Sequence, residues 1–303
     1  MTFDDILRMK QQDLLHAIRK TYADKISYYV EDGFVLISGD APALLVAHLD
    51  TVHKETVREI CISDNGSLIM SPQGIGGDDR CGVFSLMEIY KESPQKPWLL
   101  FTCDEETGGN GALAFCSAYA KGFLSPALAQ IKMIIELDRK GHDDAVFYDC
   151  DNREFEDYIT SKGFQTNFGS FSDISYIAPD LGVAAVNLSC GYYNAHTLHE
   201  YINIEHMNST ITKVLDIISE VNSPDVPQFE YIEAKYDWNW KDYTKTYYPS
   251  DTIPLSSIPE SIREEYIDLL DYYTRDELEY FRSEMGNSSI LLLHQSEFGG
   301  RNG

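Results

Sequence analysis

The sequence predicts an α/β fold with a mixed, mostly parallel central sheet flanked by helices. Four runs are almost continuously apolar, as strands buried on both faces of a sheet are: ALLVAHL, PWLLFTC, IKMIIELD and VAAVNLSCG. Helical stretches separate these runs, and such alternation is typical of parallel sheets. With 303 residues, the chain is long enough for one large domain and an extension.

The predicted elements begin with a surface helix, because apolar residues recur at helical spacing within the first twenty positions. Those apolar residues are Ile6, Leu7, Leu14, Leu15 and Ile18. Strand-like runs follow at 26–30, 34–38 and 43–49. The runs 57–63 and 67–70 flank Asn65-Gly66, a dipeptide that favours a hairpin turn.

A glycine-rich loop, SPQGIGGDD, leads into a predicted helix over about 80–90. After the buried strand at 97–103, a polar loop precedes a helix that begins near Gly111. The remaining predicted elements are the buried strand at 131–138, a short strand at 145–150, a helix at 152–163, the buried strand at 183–191 and a helix at 204–221.

Five separate segments carry carboxylates or imidazoles near the carboxyl ends of the predicted strands, where ligands bind in open α/β sheets. These groups are His48 and Asp50 after one strand, Asp104, Glu105 and Glu106 after another, Asp138 at the end of a third, Asp78 and Asp79 in the glycine loop, and His196 shortly after the last strand. We therefore expect them to meet at one edge of the sheet.

The charge and the cysteines restrict the class of protein. A formal net charge of -25 disfavours nucleic acid as a partner and attracts cations, although it also serves solubility. The acidic N-terminus does not have the pattern of a signal peptide, and no apolar window is long enough to span a membrane. Six scattered cysteines indicate reduced thiols. We expect a cytoplasmic protein without a membrane partner.

The polar groups contain the ligands that two adjacent metal ions need. Histidine nitrogen and carboxylate oxygen are the ligands that zinc prefers when no thiolate is available. Each ion can take one of His48 and His196 and one of Glu106 and Asp138, while Asp78 bridges the pair. The sequence therefore predicts two divalent ions, with zinc expected and cobalt or manganese also compatible with these ligands.

Two further carboxylates are candidates for supporting roles. Glu105 is left beside the site to accept a proton from water, as a general base does. Asp50 points to the same side of its strand as His48 and can hydrogen-bond an imidazole. Each segment alone also has an ordinary structural explanation, such as a solvated acidic turn or a helix cap. The prediction depends on all five segments occurring together at strand ends.

Five motifs, AHLDTVH, GIGGDDRCGV, CDEETGGNGA, IELDRKG and NAHTLHEY, resemble in that order the co-catalytic di-zinc exopeptidases. This superfamily includes peptidase T, carboxypeptidase G, and the bacterial leucyl and tetrahedral aminopeptidases. The resemblance covers about residues 40–220. It implies the zinc-exopeptidase fold, which is phosphorylase/hydrolase-like, and a hydrolase that acts on peptide bonds.

The resemblance also implies roles for individual residues. It assigns His48 and Asp138 to the first metal, Glu106 and His196 to the second, and Asp78 to the bridge. It makes Glu105 the general base, makes Asp50 the support of His48, and implies a cis bond between Asp78 and Asp79. Ser172 and Asp173 of GSFSDIS resemble a segment that lines the substrate pocket, with a plain loop as the alternative interpretation.

The spacing of the motifs departs from that of several family members. Only 57 residues separate Asp138 from His196, and 27 separate Asp50 from Asp78, too few for the inserted domains. The lid residues that hold a substrate's C-terminal carboxylate are therefore expected to be absent. This favours an aminopeptidase or dipeptidase over a carboxypeptidase, while an N-acyl amino acid amidohydrolase shares the same centre and stays an alternative.

Composition changes after Asn222, so we predict a catalytic domain over 1–222 and an extension over 223–303. The extension is rich in tyrosine and acids and holds all the tryptophan except Trp98. Two helical stretches are expected within it, at 258–273 and 274–285. It is a candidate active-site rim, strap, partner surface or homo-oligomer interface. A metal-binding interaction protein with little catalysis is the second alternative.

Overall fold

The computed structural model describes residues 1–169, 171–234, 258–269, 278, 282 and 287–298. The described residues divide into two compact units, one within Met1–Lys235 and one within Tyr236–Gly303. The division that the sequence suggests after residue 222 lies near this boundary and stays a prediction.

The strands of the first unit form two sheets. They are β1 (Ile26–Val30), β2 (Phe34–Ile37), β3 (Ala43–His48), β4 (Cys61–Ile62), β5 (Leu68–Met70), β6 (Trp98–Thr102), β7 (Met133–Arg139), β8 (Asp144–Val146), β9 (Gln165–Thr166), β10 (Ala185–Ser189), β11 (Tyr192–Tyr193) and β12 (Tyr201–Asn203). The central sheet has the order β1-β2-β6-β3-β7-β10-β8-β9, and the small sheet has the order β11-β12-β5-β4.

The middle of the central sheet confirms the predicted fold class. Strand β3 pairs in parallel with β6 and β7, and β7 pairs in parallel with β10. Antiparallel pairs join β1 to β2, β2 to β6, and β10 to β8, so the sheet is mixed. Every residue of β3, β6 and β10 is buried, which explains why these strands are almost continuously apolar.

Helices cover both faces of this sheet. They are α1 (Phe3–Arg8), α2 (Gln11–Thr21), α3 (Gly77–Glu92), α4 (Asn110–Ala120), α5 (Arg153–Ser161), α6 (Ile174–Leu181) and α7 (Ile204–Glu220). Residues of α1, α2, α3 and α7 belong to one buried cluster, and residues of α4 and α6 belong to the other. Parallel strands therefore end together at one edge of a sheet that is covered on both sides.

The first predicted helix is two helices in the structure. Met9 separates α1 from α2 with an extended backbone, and its carbonyl accepts a hydrogen bond from Arg80 Nη2 at 3.0 Å. The five apolar residues of the pattern are all buried, so the periodicity was interpreted correctly and the break was missed. Helix α6 and the short strands β9, β11 and β12 were also not predicted.

The second unit contains a 3-10 turn at Glu260–Ile262, α8 (Arg263–Leu269) and α9 (Ser288–Phe298). Its buried residues are Ile258, Ile262, Tyr266, Leu269, Leu278 and Ile290. Helix α8 confirms part of the stretch predicted at 258–273. The stretch predicted at 274–285 lies outside the described residues except at two positions, and α9 was not predicted. None of the helices that the structure describes is long and apolar enough to cross a membrane.

Candidate metal centre

The carboxyl edge of the central sheet brings the five predicted ligands together from five segments. His48 ends β3, Asp138 lies in β7, and Asp78 lies in the first turn of α3. Glu106 follows β6, and His196 lies in the loop between β11 and β12. Because β3, β6 and β7 are adjacent and parallel, their carboxyl ends deliver these side chains to one place.

The two carboxylate oxygens of Asp78 face two different imidazoles. Asp78 Oδ1 lies 3.1 Å from His48 Nε2, which in turn lies 3.4 Å from Asp138 Oδ1. Asp78 Oδ2 lies 3.2 Å from His196 Nε2, which in turn lies 3.1 Å from Glu106 Oε1. Asp78 thus stands between a group with His48 and Asp138 and a group with His196 and Glu106, as a bridging ligand would.

These distances fit the spacing of ligands around small divalent ions. Zinc binds nitrogen and oxygen at about 2.0–2.2 Å, so two ligands of a tetrahedral ion lie roughly 3.3–3.6 Å apart, slightly more than the 3.1–3.4 Å between these atoms. Glu106 Oε1 is also buried without a hydrogen-bond partner, although it lies 3.1 Å from His196 Nε2. Acceptor atoms that approach each other without hydrogen bonds are expected where a cation fits between them. The donor set therefore fits two metal ions.

The pKa shifts within the cluster also favour bound cations. Burial and the negative charge of Asp78 raise the pKa of Asp138 to about 7. The Asp78 and Glu106 carboxylates beside its ring raise the pKa of His196 to about 11, while His196 and His48 hold the pKa of Asp78 low against the effect of burial. So many acidic groups in one buried place are costly unless cations compensate them.

Glu105 and Asp50 lie next to the ligand cluster. Asp50 Oδ1 is 3.2 Å from His48 Nδ1, and the Asp50 carboxylate accepts hydrogen bonds from the backbone N–H groups of Glu105 and Glu106 at 3.1 and 3.0 Å. Burial, with the negative charges of Asp138, Asp173 and Glu106, raises the pKa of Glu105 to about 9. Asp50 thus connects the β3 histidine to the loop that carries the predicted base.

Asp79 differs from its neighbour Asp78, and the peptide bond between them is cis. Its ligand-capable atoms lie near those of His48 and Asp138, just as those of Asp78 lie near His48 and Glu106. However, its two oxygens accept backbone hydrogen bonds, from Gly82 N at 2.8 Å and His48 N at 3.3 Å. Asp79 therefore joins α3 to the end of β3, while Asp78 faces the histidines.

Ser172 and Asp173 are both fully buried at the start of α6. Ser172 Oγ donates to the Glu136 carboxylate and lies 3.2 Å from Asp138 Oδ2. Thr102 Oγ1 donates to Asp173 Oδ2. Ser172 thus contacts the candidate ligand Asp138, and Asp173 contacts the end of β6, while their role in binding substrate stays a prediction.

Further residues that hold the ligands were not identified from the sequence. Glu200 accepts hydrogen bonds from Gly76 N and Asp78 N, both at 2.9 Å, and so holds the loop that presents Asp78. Tyr192 OH donates to Asp138 Oδ1 at 3.3 Å, and Asn187 Oδ1 accepts from Asp138 N at 2.9 Å. Glu136 could have been identified from the sequence, because it is a lone acid within an apolar strand and a buried acid requires a partner.

The fold is similar to those of known aminopeptidases. Aminopeptidase PepT from Bacillus cereus ATCC 10987 has a TM-score of 0.56 at 16% identity, covering 72% of this chain and 96% of that chain. A TET aminopeptidase from a marine sediment thaumarchaeote has 0.55 at 13%, covering 74% and 98%. A Staphylococcus aureus tripeptidase has 0.54 at 14%, covering 73% and 96%.

No family model matches the chain, and no curated protein matches it in sequence. The structural likeness therefore concerns the fold, and it covers 72–74% of the chain. It confirms that the chain has the fold implied by its resemblance to the co-catalytic exopeptidases.

Proposed function

We propose that the chain is a zinc-dependent exopeptidase that cleaves short peptides, as an aminopeptidase or a dipeptidase. The observation that carries the proposal is the position of Asp78, whose two oxygens face His48 on one side and His196 on the other. The structural likeness to aminopeptidases supports it, although at 13–16% identity that likeness concerns the fold.

In this proposal His48 and Asp138 would hold one ion, Glu106 and His196 would hold the other, and Asp78 would be shared between them. Two divalent ions, when bound, act as Lewis acids on the substrate carbonyl and lower the pKa of water. Zinc fits these nitrogen and oxygen donors, and cobalt or manganese are the alternatives.

The residues around the ions would carry out the proton transfers. Glu105 would accept a proton from the attacking water and later donate it to the leaving amine. Asp50 would accept a hydrogen bond from Nδ1–H of His48, which would leave the Nε2 lone pair free for a metal. The negative charge of the chain would attract the protonated N-terminal amine of a peptide.

A cytoplasmic location and a homo-oligomer formed through residues 223–303 belong to the same proposal. All six cysteines are free thiols, and five of them are buried, as suits a reducing compartment.

The first experiment measures metal content per chain by mass spectrometry, together with hydrolysis of a panel of aminoacyl-p-nitroanilides before and after chelation. We expect about two ions per chain and cleavage that disappears with chelator and returns with added zinc. Acetylation of the substrate N-terminus should abolish cleavage by an aminopeptidase. Cleavage that requires the acyl group would instead indicate the N-acyl amidohydrolase, and a chain without bound metal would contradict the proposal.

A further inference from the structure

The N-terminal helices contact the loop that carries the predicted base. Helix α2 begins at Gln11, directly after the break that separates it from α1. The Gln11 side chain reaches Asp104, the first residue of the Asp-Glu-Glu run that follows β6. The two residues are 93 positions apart along the chain. Gln11 also lies outside the five motifs, so neither the predicted strands nor the resemblance draws attention to it.

Gln11 makes two hydrogen bonds with Asp104. Gln11 Oε1 accepts from the backbone N–H of Asp104 at 3.0 Å, and Gln11 Nε2 donates to Asp104 Oδ1 at 2.9 Å. Both contacts are partly buried. A side-chain amide suits this pair of partners, because it offers an acceptor for the N–H group and a donor for the carboxylate. A hydrogen bond to a carboxylate is also charge-assisted, which makes it stronger than one between neutral groups.

Three successive backbone N–H groups of this loop are held by side chains from other segments. Gln11 accepts from the N–H of Asp104, and the Asp50 carboxylate accepts from those of Glu105 and Glu106 at 3.1 and 3.0 Å. These bonds fix the backbone of the predicted base and of the predicted ligand beside it. Asp50 therefore holds the loop from the end of β3, and Gln11 holds it from the N-terminal helices.

The backbone of Asp104 adopts a conformation that depends on such support. Its φ is 58°, in the left-handed region that few residues other than glycine adopt. Aspartate is among the residues that tolerate this region, and such a conformation persists where the surrounding contacts enforce it. The two bonds from Gln11 are contacts of this kind. Because Glu105 follows Asp104 directly in the chain, they also help to set where Glu105 lies.

We propose that Gln11 is a positioning residue for the predicted base Glu105, on which it acts through Asp104. Its role in catalysis rests on the proposed function, in which Glu105 accepts a proton from water. A general base must lie within hydrogen-bond reach of that water, and a displacement of about 1 Å can lower the rate by about 10²-fold. Without Gln11, one of the three N–H groups that fix the loop would lose its partner, and Glu105 would spend time out of reach.

The first experiment compares Gln11→Ala with the parent chain and with Gln12→Ala. Gln12 is the matched control, because it is the next residue of α2 and is exposed. Hydrogen exchange followed by mass spectrometry should show about tenfold faster exchange of the segment 103–107 in Gln11→Ala, since the Asp104 N–H loses its acceptor. For the best p-nitroanilide of the panel, kcat at saturating zinc should fall about tenfold, while KM stays unchanged. Gln12→Ala should match the parent chain in all three measurements.

The second experiment exchanges the two polar groups. Gln11→Glu keeps an acceptor for the Asp104 N–H but places a carboxylate against Asp104 Oδ1, so kcat should fall at least as far as in Gln11→Ala. The double variant Gln11→Glu/Asp104→Asn places an amide donor opposite the new carboxylate and keeps the net charge of the pair. Asparagine also tolerates a positive φ. Both kcat and hydrogen exchange should therefore return to within about threefold of the parent values.

The outcomes separate the contact from its effect on catalysis. Unchanged exchange of the segment 103–107 in Gln11→Ala would overturn the proposal, because Gln11 would then not hold the loop. Faster exchange with unchanged kcat, or a double variant no more active than Gln11→Glu, would overturn the role in catalysis. A parent chain that binds zinc but cleaves no peptide would refute the proposed function, and the hydrogen-exchange comparison would still decide whether Gln11 holds the loop.

Discussion

The candidate ligand cluster and a cavity of about 330 Å³ lined by Arg80 share Asp50 and differ in the charge of their buried groups. In the cluster, burial together with neighbouring carboxylates raises the pKa of Glu105 to about 9. In the cavity, burial lowers the pKa of Arg80 to about 10, against the opposing effect of Asp50 and Asp79. The buried guanidinium thus has carboxylates of the chain near it, whereas the carboxylates of the cluster lie beside one another and two imidazoles.

This difference shows where the chain supplies its own counter-charge. Arg80 lies near Asp50 and Asp79, so carboxylates of the chain compensate its charge. The cluster gathers several buried acids around two imidazoles, and buried charge of one sign is costly without compensation. The cluster therefore indicates divalent cations.

The largest effect is expected for Asp78→Ala, which removes the carboxylate between the two imidazoles. Metal content should fall from about two ions per chain to one or none, and peptide hydrolysis should fall to background. Asp64→Ala is the control, because Asp64 is exposed on the hairpin loop. Retention of two ions in Asp78→Ala would move the bridge to Asp79, whose atoms also lie near His48 and Asp138.

A smaller effect is expected for Glu105→Gln, which removes the proposed base and leaves the ligands in place. kcat should fall by about 10²–10⁴-fold, the usual contribution of general acid–base catalysis. Metal content should stay unchanged, which distinguishes this variant from Asp78→Ala. Glu59→Gln, at an exposed position, is the matched control. Normal turnover in Glu105→Gln would show that another group takes the proton.

The parts that could be predicted from the sequence are those with a local signal. Buried parallel strands are almost continuously apolar, so β3, β6, β7 and β10 were found, and the polar groups at their carboxyl ends identified the cluster. Two-residue strands such as β11 have too few residues for a periodicity. Helix α6 contains Pro179, a residue that is typical of a break, and no helix was predicted there.

The supporting contacts could not be predicted, because they depend on tertiary structure. Glu200 lies 122 residues from Asp78 along the chain, and nothing near Glu200 marks it as the partner of a distant loop.

A moderate effect is expected for Glu200→Gln. Both Glu200 oxygens accept backbone N–H groups, from Gly76 and Asp78, so the amide would place an NH₂ donor against one of them. Zinc affinity, measured by competition with a chelator, should fall by about 10–100-fold, as for other residues that orient ligands. Glu205→Gln, an exposed acid at the start of α7, should leave zinc affinity unchanged. An unaltered zinc affinity in Glu200→Gln would show that Asp78 is positioned without it.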